Sequence, residues 1–351
     1  MSLQRDMRLV RSRYRRLESI LPERGRLLIA SHNNPDPDSI VASLLLERLV
    51  ASISELSVTV AYSGVIGRAE NKALLDYSGA RLAAIRDLEV DAFDVIALVD
   101  TQPGTGNTPF EDHANLKLVF DHHRLARRTK QVAFFDVREY LGTTTTLMSL
   151  YWRAAGIPIS RRYATMMFYA LRSETADLGR EASPVDRQIY KQIFNLTDMH
   201  AVSRIVNAKV GVSYFAAVHQ AVEQARIYGN LIVTSLANLP YPDAAAQIAE
   251  YFLKHRAVAY SFAMGLFEHE ILLSMRSDNA RANLGTVAAR IVRGFGTAGG
   301  HGASAGGQIP VRGVHASRVE AIQKTIVDRL LKELGLSGSR PRRLIRHRFK
   351  K

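Results

Sequence analysis

The chain reads as an α/β protein. It predicts an N-terminal open, mostly parallel sheet with helices on both faces, a helical connector, and a smaller C-terminal α/β domain with a mixed sheet. Three observations lead there. From Arg26 to Ser173, short apolar runs alternate with segments of helical periodicity. From Ser183 to Tyr228 the pattern is almost wholly helical, and Gly229 stops it. Strand-like runs then return, two of them meeting at Glu268-His269 in the manner of an antiparallel pair.

Taken in order, Leu3 to Leu21 predicts an amphipathic helix with Met7, Val10, Tyr14 and Leu17 on one face and Arg5, Arg8, Arg11, Arg13, Arg15 and Arg16 around it. Such a helix fits a solvated domain edge; an arm touching RNA or a membrane is the alternative. Next come strand 26–30, helix 39–51, strand 57–62, a helix near 69–77, strands 93–99 and 116–120, and helices 143–155 and 161–173. Ser183-Pro184-Val185-Asp186 is a strong helix start, with Ser as cap, Pro in the first turn and an acid three residues on. The second α/β unit predicts strand 231–236, helix 243–255, strands 257–267 and 270–275, helix 283–293, a glycine-rich loop, strand 308–312 and helix 317–334. The expected divisions are 1–25, 26–182, 183–229, 230–335 and a basic tail, 336–351.

At 351 residues, with 47% hydrophobic and 23% charged, the chain has enough apolar material for two cores and too little charge for disorder. Lys+Arg exceed Asp+Glu, 47 to 33, for a net charge of +14, which favours an anionic partner. The absence of cysteine excludes disulfides, thiolate nucleophiles and cysteine-ligated zinc or iron–sulfur centres. Met1 to Arg16 is basic without the apolar centre of a signal peptide. The apolar stretches 40–53 and 257–267 fall short of the roughly 20 residues that span a bilayer. A cytoplasmic protein is expected.

Chemistry concentrates in Ser31-His32-Asn33-Asn34-Pro35-Asp36-Pro37-Asp38-Ser39, between a predicted strand and a predicted helix. Two prolines stiffen this loop, so His32, Asp36 and Asp38 are presented on a turn. Taken alone, the spacing also suits an ordinary helix-capping turn. Two further strands decide the matter: one runs into Asp100, the other into Asp121-His122-His123. In an open parallel sheet the carboxyl ends of the strands line one crevice. Several carboxylates and imidazoles gathered there need counter-charge, and mixed ligation of this kind suits Mn²⁺, Fe²⁺, Co²⁺ or Zn²⁺ better than Ca²⁺. In the second unit, residues 295–307 contain six glycines and His301. A loop of that composition lets successive amides approach an anion, and Arg276, ending the preceding strand, could pair with a phosphate held there. No Lys-Ser/Thr ending marks it as a P-loop.

With His32, Asp36, Asp38, Asp100 and Asp121-His122-His123 in this order, the first domain resembles the DHH phosphoesterase superfamily. The Gly299-Gly300-His301 segment resembles the GGH motif of the C-terminal domain associated with it. The resemblance covers about Arg26 to Gly335 and is strongest to the oligoribonuclease/pAp phosphatase (nanoRNase) type and to stand-alone dinucleotide phosphodiesterases. RecJ-type exonucleases carry additional domains, for which this chain leaves no room.

The resemblance implies two divalent ions, Mn²⁺ first, with Co²⁺ or Mg²⁺ as alternatives. His32, Asp36 and Asp100 would hold one; Asp38, Asp100 and His122 the other, with Asp100 bridging. His123 would lie over the substrate phosphate, and Asp121 would orient the ring of its neighbour. Where the family places a further carboxylate, this chain reads Ser173-Glu174-Thr175-Ala176-Asp177, so Glu174 or Asp177 would complete the second metal site. Arg276, Gly299, Gly300 and His301 would bind substrate. The implied reaction is hydrolysis of short oligoribonucleotides or pAp to nucleoside monophosphates by a hydroxide bridging the metals. The alternatives are a linear or cyclic dinucleotide (pApA or cyclic di-AMP) phosphodiesterase, a pyrophosphatase, and a catalytically weak nucleotide-binding regulator. A homodimer is expected, and the basic tail is a candidate contact for RNA or an anionic surface.

Overall fold

A computed structural model of the chain describes residues 3–279 and 281–345, without the side chain of His301. The chain divides into two compact units, Met1–Ala208 and Lys209–Lys351.

In the first unit, α1 (Leu3–Ile20) precedes β1 (Arg24–Ala30), α2 (Pro37–Val50), β2 (Glu55–Tyr62), α3 (Ala69–Ser78) and the short β3 (Ala83–Ala84). Then follow β4 (Val95–Val99), β5 (Leu116–Asp121), β6 (Phe134–Val137), α4 (Thr144–Ala155), α5 (Arg161–Glu174), α6 (Pro184–Phe194) and α7 (Met199–Val206). The six strands form one sheet in the order β3-β2-β1-β4-β5-β6, every pair parallel. Strand direction along the order reverses its sequence sense between β1 and β4, which places the ligand crevice at the carboxyl ends of those two strands. Both faces are buried, so the strands are apolar at successive positions rather than alternating. Leu27 and Ile29 pack with α2, α4 and α5 residues such as Leu45, Leu147 and Phe168. Leu28 and Ala30 point the other way, toward Phe93 and Phe110. The strand β6 escaped the sequence reading because four residues, Phe134-Phe135-Asp136-Val137, are too few to show a period.

In the second unit, α8 (Val212–Gln224) leads to β7 (Arg226–Tyr228), β8 (Leu231–Asn238), α9 (Ala244–Phe252), β9 (Tyr260–Phe267) and β10 (Glu270–Ser277). After these come α10 (Leu284–Val292), β11 (Thr297–His301), β12 (Ser304–Pro310), α11 (Ala316–Glu333) and β13 (Arg342–Arg343). The sheet order is β11-β12-β10-β9-β8-β7-β13, antiparallel except for β8 with β9. Glu268, with φ 51°, turns the β9–β10 hairpin where the sequence placed it.

Two local expectations are corrected. The helical reading stops at Gln224, and Arg226–Tyr228 pairs with β8 as a strand. The segment read as a glycine-rich loop is an antiparallel ladder, Gly299 opposite Gly306 and Gly300 opposite Ala305. Glycine weakens strand propensity, which hid the ladder from a reading by composition. Here it permits close packing: a Cβ on Gly285 of α10 would lie 1.9 Å from the Gly300 carbonyl oxygen.

Among the described residues no helix is long and apolar enough to cross a membrane. Of the basic tail, Arg346, Arg348, Lys350 and Lys351 lie outside the described residues.

Candidate metal centre

Four loops at the carboxyl ends of the first sheet bring the predicted groups together. After β1, Asp36 caps α2 in a reciprocal box, accepting from Ser39 N at 2.9 Å while its own N donates to Ser39 Oγ at 3.0 Å. Capping of α2 and proximity to His32 and Asp100 therefore coexist in one side chain. His32 donates from Nδ1 to the Asn33 carbonyl at 2.9 Å, which leaves Nε2 directed at Asp36 Oδ1 and Asp100 Oδ2, each 3.6 Å away.

Asp100 follows β4 with φ 60°, a left-handed conformation that a non-glycine residue adopts at a cost of about 1–3 kcal/mol. The strained turn aims its carboxylate into the crevice. There Oδ1 accepts from Thr144 Oγ1 at 2.8 Å and lies 3.5 Å from His122 Nε2. The Asp38 carboxylate sits on the amino end of α4, accepting from Thr144 N at 2.7 Å and Thr145 N at 2.8 Å, where unsatisfied amides and the helix dipole favour an anion. His122 Nε2 is 3.9 Å from it, and its Nδ1 lies 3.1 Å from the Leu141 carbonyl.

Asp121 serves the other imidazole. Its Oδ1 accepts from the His122 and His123 amides and from His123 Nδ1 at 2.8 Å. Its Oδ2 accepts from Gln102 Nε2 at 2.6 Å. Gln102 is fully buried and makes three further bonds: Nε2 to the Arg124 carbonyl, and Oε1 from Ala126 N and Thr129 Oγ1.

The electrostatics follow from crowding. Burial first, then the charge of Asp36, raise the Asp38 carboxyl to about 7. Burial and the charges of Asp38, Asp36, Asp121 and Glu174 push Asp100 well above the usual range. Burial opposes charging of His32 and His123, but Asp36 and Asp121 respectively outweigh it, and both imidazoles are held up to about 9. Asp36 and Asp121 are lowered: these same imidazoles overcome their desolvation.

Two triads have ligand atoms mutually within 4.8 Å, His32–Asp36–Asp100 and Asp100–His122–His123. Nitrogen–oxygen separations of 3.5–3.9 Å exceed a hydrogen bond. They suit two ligands each about 2.1 Å from a common ion, so the residues fit a divalent cation sharing Asp100.

Of the two alternative carboxylates, Glu174 ends α5 close enough for its charge to act on Asp38, Asp100 and His123. Asp177 is 61% exposed and paired with Arg172 Nε at 2.5 Å. In the second unit, Arg276 stands opposite Ser304, which in turn stands opposite His301, one row across three strands. The guanidinium meets the Glu250 carboxylate at 3.1 Å and Ser274 Oγ at 2.8 Å. The sequence reading missed Thr144, Thr145, Gln102 and Glu250. The run Thr143-Thr144-Thr145-Thr146 carried a signal, since a helix start needs only one hydroxyl as cap.

Residues 26–171 match the DHH family, N-terminal domain. The chain is 30% identical over 306 residues to an uncharacterized protein of Methanocaldococcus jannaschii, covering 87% of this chain and 62% of that one. It is 26% identical over 148 residues to a probable manganese-dependent inorganic pyrophosphatase of Brevibacillus brevis, 42% of this chain and 47% of the relative. The chain thus spans less than two thirds of the length of either. The crystal structure of an exopolyphosphatase-related protein from Bacteroides fragilis shares the fold, with a TM-score of 0.71 at 17% identity, covering 94% of this chain and 98% of that one.

Proposed function

We propose that the protein is a phosphoesterase dependent on two divalent metal ions, Mn²⁺ foremost, that hydrolyses short oligoribonucleotides or pAp to nucleoside monophosphates. The observation that carries this reading is the convergence of His32, Asp36 and His122 on the Asp100 carboxylate at ligand spacing, with Asp38 beside them 3.9 Å from His122 Nε2. The DHH match and the manganese-dependent relatives support the metal and the reaction class. The narrower substrate class rests on the resemblance of Gly299-Gly300-His301 to the GGH motif.

In this reading His32, Asp36 and Asp100 would hold one ion, and Asp38, Asp100 and His122 the other, with Glu174 favoured over Asp177 by its proximity. Bound divalent cations supply a water acidic enough to attack at neutral pH and polarise the phosphoryl oxygens. The chain's residues do the positioning. His123, protonated and fixed by Asp121, places a cation over a phosphoryl oxygen where negative charge builds. By its resemblance to the GGH motif, the second unit would bind substrate through Arg276 and His301, with Gly299 and Gly300 shaping the backbone between them.

The test is parallel incubation with Mn²⁺ of labelled di- to decaribonucleotides, pAp, pApA, cyclic di-AMP and pyrophosphate. Preferential release of mononucleotides from the shortest RNAs, or of AMP from pAp, supports the reading. Preference for pyrophosphate or for cyclic di-AMP replaces the substrate class. Nucleotide binding without turnover under any divalent metal makes the protein a regulator.

A second expected result concerns Gln102, which bonds the Asp121 carboxylate that holds His123 as well as the Arg124 carbonyl beyond it. Gln102→Leu lowers kcat about 10–100-fold, the scale of losing an outer partner, and leaves Mn²⁺ affinity unchanged. The strongly hydrogen-bonded His123 Nδ1–H proton should move upfield in NMR spectra of the variant. An unmoved resonance would show that Gln102 is purely structural.

A further inference from the structure

We propose that the segment following His123 is a track for the phosphate backbone of an oligonucleotide extending beyond the scissile phosphate. The inference rests on the phosphoesterase reading above, and it specifies an oligomer rather than a mononucleotide or pyrophosphate as the ligand.

Residues 124–130 contain Arg124, Arg127, Arg128 and Lys130 and no acid. Their backbone is not loose. Gln102 grips the Arg124 carbonyl at 3.1 Å, Ala126 N at 2.8 Å and Thr129 Oγ1 at 2.8 Å, and Leu125 N donates to Glu139 Oε1 at 2.9 Å. Thr129 is fully buried, while Arg124, Arg127, Arg128 and Lys130 are exposed. The buried anchors keep the cations from spreading apart to relieve their repulsion. Preorganised cations of one sign bind a polyanion with little further loss of entropy.

The direction of the segment also fits. Asp121 pairs with Val137 and Leu118 with Phe134 in parallel register. Between them the chain descends from the carboxyl end of the sheet toward the amino end of β6, a drop of about 10 Å at ~3.3 Å per strand residue. At the lower end α1 continues the charge. Arg16 Nη2 donates to the Ala133 carbonyl at 3.1 Å, and the Arg13 guanidinium lies 6.0 Å from the Phe135 ring centroid. A basic path therefore begins beside His123 and reaches the arginine face of α1.

Counter-ions within the protein cover little of it. Arg128 pairs with Asp112 at 3.0 Å and approaches Glu111 at 4.0 Å. Among the described residues, Arg124, Arg127 and Lys130 form no ion pair within 4.0 Å.

The experiment measures binding of a 5′-labelled octaribonucleotide whose bridging methylenephosphonate linkages keep the charge and resist hydrolysis, by fluorescence anisotropy with Mn²⁺ present, as a function of salt. It compares the protein with the Arg127→Gln/Lys130→Gln double variant and with the charge-conserving Arg127→Lys/Lys130→Arg variant. Each phosphate contact on a single strand contributes about 0.7 to the log–log salt slope, so neutralising two reduces it by about 1.4. Between 50 and 200 mM salt the unaltered protein would thus lose about seven-fold more affinity than the double variant. The charge-conserving variant should keep the original slope. With Mn²⁺, the ratio of kcat/KM for the ordinary phosphodiester octamer to that for pAp should fall in the double variant.

Equal slopes in the protein and the double variant overturn the proposal. So does displacement of the RNA by a polyphosphate of equal charge at lower concentration, which would make the ligand a polyphosphate. If the slopes differ as expected but nothing is hydrolysed with Mn²⁺, the track stands and the phosphoesterase reading fails.

Discussion

Asp100→Asn should leave the protein folded, remove its Mn²⁺ affinity and lower turnover by about three orders of magnitude or more. Its oxygens lie 3.5–3.8 Å from nitrogens of His32, His122 and His123, so one substitution withdraws a ligand from both candidate ions. The loss should exceed the 10–100-fold typical of an outer partner. The variant should also separate stability from activity. Burial and neighbouring carboxylates raise the Asp100 carboxyl well above its usual range. A raised folded pKa in a carboxyl means that ionisation opposes folding above the unfolded pKa. Neutral Asn removes that penalty, so without metal the variant should melt higher than the original protein at pH 8. Added Mn²⁺ should raise the melting temperature of the original alone. In the original, the Asp38 carboxyl at about 7 is largely protonated at pH 6 and must lose its proton to bind a cation. Calorimetry in buffers of different ionisation heat should detect proton release at pH 6, with Mn²⁺ affinity rising with pH until above about 7. A variant retaining Mn²⁺ affinity and turnover would remove Asp100 from the centre of the site.

Arg138→Met should destabilise the first unit by about 3–5 kcal/mol, the cost of leaving buried charge without its partner. Arg138 is 3% exposed, forms two bonds of 2.8 and 2.9 Å to Asp136, and reaches Asp6 of α1 at 3.4 Å. Tyr140 donates to Asp6, and Tyr151 donates to Asp136 at 2.8 Å. The substitution keeps the side-chain bulk but strands two buried carboxylates. The network joins α1 to the turn 138–145, whose Leu141 carbonyl faces His122 and whose Thr144 and Thr145 hold Asp38. Reduced Mn²⁺ affinity should therefore accompany the lower urea midpoint. An unchanged midpoint would show that these charges are solvated rather than paired in the interior.

How much the sequence disclosed depended on whether a group announces itself by type. His32, Asp36, Asp38, Asp100 and His122 stood out because acids and imidazoles recur at the ends of three apolar strands, more than the capping by Asp36 accounts for. Gln102 did not, because amides are common everywhere and this one acts through another side chain, while Thr144 was marked only by the excess of hydroxyls in Thr143-Thr144-Thr145-Thr146. Arg276 was legible as a cation, but Glu250 on α9, its partner at 3.1 Å, is set by tertiary packing alone. The parallel order of the first sheet followed from alternating strands and helices. The β11–β12 ladder did not, since Gly299, Gly300, Gly306 and Gly307 suppress the strand signal that their backbones nevertheless satisfy.

The buried carboxylates and the left-handed Asp100 bear on how long the protein survives in a cell. Whatever favours the cation-bound form adds to folding stability by mass action, and the carboxylate repulsion leaves the metal-free form nearer to unfolding. Since chaperones and proteases continuously remove unfolded chains, one or two kcal/mol changes abundance several-fold. Metal scarcity would then act as a control on amount, by lowering the folded fraction that escapes degradation.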